Sequence, residues 1–397
     1  MRNMRNTFVL LVAAVLLSAC GSSPKSNKDA ESGVYHINYE ECLANERTLR
    51  LSEIADTIEY LELKTPEDII ISFIMNVISV DDFLLIHSRE GIAKFTKAGD
   101  YVTSIGRRGQ GPGEYVNANY MDIDNKRKEI LVGTVGKVIF YDYDGTFLRE
   151  ERWGTMSSIG FTDSVLWVGG YDNHTHSNIL YALNTQGDTI ARHPNPRYGQ
   201  SSRNEGVWTS VPTCQKDFYR HGYELFFNGL MSNDTIFRLS GATSTPYLIW
   251  DMGKYKLPKE YEAWYSWDDL RLHGANYWGI PSTCESDRFF FFIGHRFWTV
   301  GENEHQHYPD NYRYILYDKR TGDCFNILNK IEDDISCGPP LWPEWVVDGY
   351  AVDAVEWYTL SKRIEEGGYE VSPAAKAQFS KFDYGTNELL IMVKLKE

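Results

Sequence analysis

Apolar residues in this chain come in short bursts separated by polar turns, not in long helical stripes. Ile58-Glu-Tyr-Leu-Glu-Leu63 alternates in the way a half-buried strand does, and Asn387 to Leu395 forms a second strand near the C-terminus. Between them one shape recurs: an apolar run, an aromatic residue, a short turn with glycine, and another apolar run. Phe95 to Gly99 leads into Tyr101-Val102, Tyr141 to Gly145 into Phe147-Leu148, and Leu183 to Gly187 into Thr189-Ile190. Tyr317 to Gly322 repeats the shape with one extra residue. The Asp144-Gly145 pair is a hairpin signal, because glycine accepts the positive φ of a tight turn.

Each of these turns follows a second hairpin cue of strand, acidic turn and strand. Ile78 to Ile86 is an example built on Asp81-Asp82, and Cys284 to Phe292 is another, built on Asp287-Arg288. Gly99 and Gly145 lie 46 residues apart, Gly145 and Gly187 42 apart. That period fits a four-stranded propeller blade. The predicted fold is therefore all-β, a six-bladed β-propeller of four-stranded antiparallel blades with a few short helices in insertions. Five blades are expected over 70–106, 118–152, 158–193, 216–252 and 283–330. An open sheet edge invites aggregation, so the ring must close, and the natural closure pairs residues 54–63 with the C-terminal strand in the sixth blade. Residues 256–281 read as an insertion with a short helix. Residues 351–383 read as helical around Val352–Glu366 and again around Pro373–Phe382, where the proline suits a first turn.

The N-terminus follows a different pattern. Arg2 and Arg5 precede an eleven-residue apolar run, Thr7 to Leu17, which is short for a bilayer span. Leu17-Ser-Ala-Cys20 follows directly and resembles a bacterial lipobox, which implies cleavage before Cys20 and acylation of its thiol. More than one acyl chain is enough for a stable membrane anchor. Gly21 stands where an aspartate commonly signals retention in the inner membrane, so an outer-membrane anchor facing the periplasm is expected, with the cell surface as the alternative. The division is a signal peptide over 1–19, a lipidated cysteine and flexible tether over 20–50, and the propeller over 51–397.

Ile58 to Leu63, Ile105-Gly-Arg-Arg-Gly-Gln-Gly-Pro-Gly-Glu-Tyr115, Asp251 to Pro258, Tyr317 to Gly322 and Gly338 to Pro343 together carry a family likeness. The glycine-rich segment is the most specific of the five. With them the chain resembles the six-bladed β-propeller lipoproteins abundant in Bacteroides-type bacteria, whose blade pattern is related to NHL-repeat propellers. The resemblance implies the fold and no particular activity. Asp56-Thr57-Ile58, Asp163-Ser164-Val165, Asp188-Thr189-Ile190 and Asp234-Thr235-Ile236 likewise look like the acceptor triplet of periplasmic O-glycosylation in such bacteria. An Asp turn leading into a strand generates the same triplet.

Composition narrows the partners. The chain has 397 residues with 55 acidic against 40 basic, a net charge of −15. Removing residues 1–19 takes away two arginines and leaves −17. A duplex nucleic acid partner needs a basic surface, so none is expected. Five cysteines remain after Cys20: Cys42, Cys214, Cys284, Cys324 and Cys337. The envelope permits disulfides, but an odd count leaves one thiol over and no C-x-x-C spacing occurs. Partly buried free thiols are the simpler expectation.

Candidate chemistry is sparse. Gly106 to Glu114 looks like a phosphate loop, yet it lacks the Lys-Ser/Thr and the helix that such a loop needs. It reads instead as the link from the outer strand of blade one to the inner strand of blade two, with Arg107 and Arg108 able to face an anionic ligand. His174-Thr-His176 and His305-Gln-His307 place two imidazoles on one face of an extended segment, but both lie in polar sequence and read as solvated. No metal or other cofactor is expected. His221 and the His295-Arg296 pair fall near hairpins where ligand-facing loops can lie. Trp264, Trp267 and Trp278 suit sugar stacking, protein contact or plain packing. No serine-nucleophile elbow or zinc-protease motif occurs.

The expected function is a lipid-anchored, non-enzymatic binding module for a glycan, peptide or envelope protein. The alternative is a propeller enzyme, a lyase or hydrolase, with its site at the channel mouth. Convergent His, Asp and Arg at one mouth favour the enzyme, and an apolar aromatic patch favours the binder.

Overall fold

A computed structural model describes residues 28–29, 31–152, 158–163, 165–169, 177–195, 217–229, 234–258, 273–297, 309–383 and 385–396. The strand bursts form six small sheets arranged as a β-propeller. Blade one holds β4 (Ile74–Val80), β5 (Phe83–Ser88), β6 (Gly91–Thr96) and β7 (Tyr101–Ile105). Blade two holds β8 (Tyr120–Asp124), β9 (Glu129–Thr134), β10 (Lys137–Asp142) and β11 (Phe147–Arg152). Blade three holds β12 (Ser158–Thr162), β13 (Val165–Gly169), β14 (Asn178–Leu183) and β15 (Thr189–Pro194). Blade four runs through β16 (Phe218–His221), β17 (Glu224–Phe227), β18 (Thr235–Ser240) and β19 (Thr243–Asp251). Blade five runs through β20 (Trp278–Glu285), β21 (Phe289–Arg296), β22 (Tyr312–Asp318) and β23 (Cys324–Glu332).

Blade six contains both ends of the chain. β24 (Trp345–Val347), β25 (Tyr350–Glu356) and β26 (Glu388–Leu395) come from the C-terminal part, and β3 (Ala55–Glu62) pairs antiparallel with β26 as the outer strand. Leu389, Leu390, Ile391 and Val393 of β26 are all buried, so this seam is a core strand and not a surface latch. Expected and observed closure agree.

Three expectations need correction. The chain joins the ring well before residue 51. β1 (Tyr35–Asn38) adds parallel to β19 as a fifth strand of blade four, and β2 (Glu46–Arg50) adds parallel to β23 as a fifth strand of blade five. Their apolar residues, Tyr35, Ile37 and Leu49, are too few to stand out as strands by alternation, and only the waiting edges order them. Secondly, Val352–Glu356 belongs to β25 and is not helical, and the two helices are shorter, α3 (Trp357–Glu365) and α4 (Pro373–Phe379). Blade five also begins at Trp278, inside the stretch read as an insertion.

The third correction concerns the cysteines. Cys42 in α1 (Tyr39–Ala44) is bonded to Cys324 at the start of β23, across 282 residues of sequence. Cys284 is buried and Cys337 exposed, neither in a disulfide, and Cys214 lies outside the described residues. The bond holds the N-terminal belt against blade five next to α2 (Leu51–Ile54) and β3. Among the described residues the apolar clusters lie between neighbouring blades, each shared by two of them, and aromatic side chains dominate the seam between blades four and five, where Phe226, Phe290, Phe292 and Tyr317 are fully buried. Replacing both Cys42 and Cys324 by alanine is expected to cost about 2–5 kcal/mol, since a long loop in the unfolded chain is released. Urea unfolding checks this, and an unchanged midpoint contradicts it.

Candidate functional site

The up-and-down course of each blade sorts its connections onto two faces. The first and third hairpins of every blade lie on one face. The second hairpins and the links between blades lie on the other, here called the loop face. The predicted residues divide between the two.

On the loop face, the glycine-rich segment links β7 to β8, as its pattern suggested. Gly106 has φ +67°, and a Cβ there would lie 2.3 Å from the Tyr141 hydroxyl, so only glycine fits this crossing. The loop's polar groups are turned inward. Gly109 N–H donates to Tyr115 O (3.0 Å) and Gly111 N–H to Glu114 Oε2 (2.9 Å). These amides are spent within the loop and cannot cradle a phosphate. Arg107 pairs with Glu114 at 2.6 Å. Arg108 donates to Arg89 O at 2.6 Å, and the Arg89 guanidinium lies 5.6 Å from the Phe73 ring centre. The Phe73 and Val116 side chains are exposed, as are Ile70 and Val135 elsewhere on this face. A strip therefore runs Phe73, Arg89, Arg108, and Val116 follows Tyr115, which bridges to Arg108; no carboxylate is paired to Arg89 or Arg108 among the described residues.

The strip has a firm base. His87 in β5 is buried, and its Nε2 donates to Ala118 O (2.8 Å) in the link to blade two. Behind Phe73, the Glu388 carboxylate accepts from the Phe73 and Ile74 amides at 2.7 and 2.9 Å, and burial raises its pKa.

Blade five brings together Trp278, His295 and Arg296. Register pairs Trp278 with Arg296 across β20 and β21, and the Arg296 guanidinium lies 4.5 Å from the Trp278 ring centre. His295 points to the opposite side of the sheet, edge-on to Tyr312. Arg313, which the sequence did not single out, lies 4.8 Å from the same tryptophan. No sequence signal marked it, because its place opposite Gly294 comes from the register of β21 and β22.

His221 lies on the other face. Its Nε2 is 2.9 Å from Asp287 and its Nδ1 3.6 Å from Glu285. Glu285 is fully buried and accepts from Tyr219 (3.0 Å), Tyr247 (2.6 Å) and Lys319 (2.6 Å). Burial lowers the Lys319 pKa and raises those of both tyrosines. Next to it, Arg220 of blade four reaches Asp122 of blade two through two bonds of 2.7 and 2.8 Å and also donates to Phe161 O (2.6 Å) in blade three. One side chain thus ties three blades together at this mouth. Both groups are saturated by protein partners, so the pair reads as a plug.

Trp264, Trp267, Ser164, Cys20 and both His-x-His pairs lie outside the described residues. Among the described residues, no cluster of three or more His, Cys, Asp or Glu is placed to hold a metal, and no helix is long and apolar enough to cross a membrane. Thr57 and Thr189 are exposed on the outer strands β3 and β15, while Thr235 is half-buried. Trp342 packs in the core against Phe291 and Tyr314.

The model of a family described as a domain of unknown function, DUF4934, matches residues 34–394. The chain belongs to this family. The matched span starts one residue before β1, so the N-terminal belt is part of the family's unit. No curated protein matches the chain. A crystal structure of a Bacteroides fragilis protein described as exported is similar at 19% identity, covering 91% of this chain and 99% of that one, with a TM-score of 0.70. More distant are the WD40 domain of Neurospora crassa Pan2 (11% identity, 76% and 78% covered, TM-score 0.40) and the extracellular domain of a B. thetaiotaomicron one-component system (10%, 70% and 30%, TM-score 0.36). The B. fragilis likeness supports the propeller fold.

His87 makes a prediction about pH. Burial lowers its pKa from 6.5 to about 4, so the folded protein keeps it neutral while the unfolded chain protonates near 6.5. Its contribution is complete above that value and is lost as pH falls from 6.5 towards 4, by about 2 kcal/mol at pH 5. Urea unfolding of wild type and His87→Gln at pH 7.5 and 5 should show the variant losing less stability on acidification. Equal losses would contradict the assignment.

Proposed function

We propose that this protein is a non-enzymatic binding module of the cell envelope, anchored through an acylated Cys20, that takes a protein or peptide partner on its loop face. The carrying observation is the strip on that face, where exposed Phe73 and Val116 flank Arg89 and Arg108. Exposed apolar side chains beside cations without carboxylate partners suit an extended segment with apolar and acidic side chains. A glycan is less well matched, because the strip offers one aromatic ring. The B. fragilis protein's description as exported supports an envelope or secreted location.

One observation favours the enzyme reading: His221, a quarter exposed, lies between Glu285 and Asp287 beside two buried tyrosines. Glu285 is already held by three donors, so the cluster looks structural, and we rank it second.

Affinity capture from native membranes tests the first reading. A partner recovered by wild type should be lost with Phe73→Ser/Arg89→Glu and kept with His221→Ala. Loss with His221→Ala alone, or no difference between the variants, argues against the strip. Cys20→Ser should move the protein from the membrane to the soluble fraction, and an unchanged distribution removes the anchor. Thr57 and Thr189 are the best-exposed glycosylation candidates. Intact-mass measurement of native protein should show hexose additions that fall in Thr57→Ala/Thr189→Ala, and an unmodified mass removes this part of the proposal.

A further inference from the structure

Trp278, Gly294, Arg296 and Arg313 share one side of the blade-five sheet. Register sets Trp278 opposite Arg296 and Gly294 opposite Arg313, and residues 294 and 296 are two apart on one strand. Two guanidinium groups therefore converge on one indole, at 4.5 and 4.8 Å from its centre. Like charges this close ordinarily have a carboxylate between them. Here neither arginine has one within ion-pair distance among the described residues; Asp310 contributes its backbone carbonyl, and its charge acts on Arg296 only from farther away.

The way the donors are used defines the opening. Arg296 spends Nε on Asp310 O (3.0 Å) and Nη1 on Ala275 O. Arg313 spends Nη1 on Tyr312 O (2.7 Å) and Asp310 O (3.5 Å). The Nε–Nη2 edge of Arg313 and Nη2 of Arg296 have no acceptor among the described residues. That edge is the fork that grips two oxygens of one anion.

A second observation comes from the belt. The Tyr39 side chain in α1 is fully buried, and its hydroxyl has no hydrogen-bond partner. It lies over Gly294, where a Cβ would come within 3.0 Å of the hydroxyl and 3.4 Å of Arg313 Cβ. Burial raises its pKa, so the hydroxyl stays a donor. A buried donor left unpaired is costly, and this one, next to Gly294 and within the field of Arg313 and Arg296, points to an acceptor that completes the set.

The geometry points to an oxyanion site on blade five, in which the free edge of Arg313 and Nη2 of Arg296 hold a carboxylate, phosphate or sulfate group above Trp278, with the Tyr39 hydroxyl beneath. The site goes beyond the loop-face strip and does not depend on it, so it can stand if no macromolecular partner is found.

Calorimetric titration of the full chain with glucuronate, inorganic phosphate and sulfate tests this. At least one should bind saturably. Glucuronate alone would assign the carboxylate of an acidic sugar, and phosphate or sulfate a tetrahedral group. Arg313→Met should weaken binding about tenfold or more, the size of a lost charged hydrogen-bond pair. Arg313→Lys, which keeps the charge without the fork, should recover only part of it, and Arg107→Met should leave it unchanged. If Arg313→Met lowers the melting temperature, Arg313→Lys and Tyr39→Phe carry the test. Absence of binding by all three anions overturns the proposal, as does equal binding by the Arg313 variants. An acidic side chain of this chain seated in the fork would give the first of these results.

Discussion

The ring exists because its two ends share one sheet. Blade six takes three strands from the C-terminal part and its outer strand from Ala55–Glu62, so the ring is not complete until the end of the chain has met its beginning. That pairing joins residues more than three hundred positions apart, and its loop-closure cost is offset only by the buried apolar face that β26 brings. The rest of the belt follows from it. Once β3 is fixed in blade six, the residues before it lie along the outer edges of blades five and four, where β2 and β1 cover strand edges that would otherwise stay open. The Cys42–Cys324 bond fastens this arrangement.

The same belt also seats a residue of the proposed anion site. Tyr39 belongs to α1, between the two added strands, and its hydroxyl reaches the arginine pair on blade five only because β1 and β2 seat the helix there. Closure and the proposed anion site thus depend on one segment. The two faces of the ring also differ in kind. On one face Arg220 and Asp122 bond to each other, and Arg220 ties three blades together. The loop face keeps Arg89, Arg108, Arg296 and Arg313 without carboxylate partners among the described residues, in a protein whose net charge is −15. Local surplus of cations on an acidic protein is an arrangement that directs anionic or acidic partners to one side.

Strand bursts such as Ile78–Ile86 and turns such as Asp144-Gly145 are local signals, and so the blades, their order and the closing strand were determined by the sequence itself. Alternation and positive-φ glycines act within a few residues and need no partner to be recognised. The apolar residues of β1 and β2 are too few for such a signal, and the helical look of Val352–Glu356 was overridden by a waiting sheet. Of the two arginines that stand out in sequence, Arg107 is paired with Glu114 inside its own loop and Arg108 bonds across to Arg89 O, while Arg313 and Tyr39 do not stand out at all. Whether an arginine is free depends on what lies beside it in space. That was decided by register across β21 and β22 and by the seating of α1, which bring together residues 39, 278, 296 and 313 from separate parts of the chain.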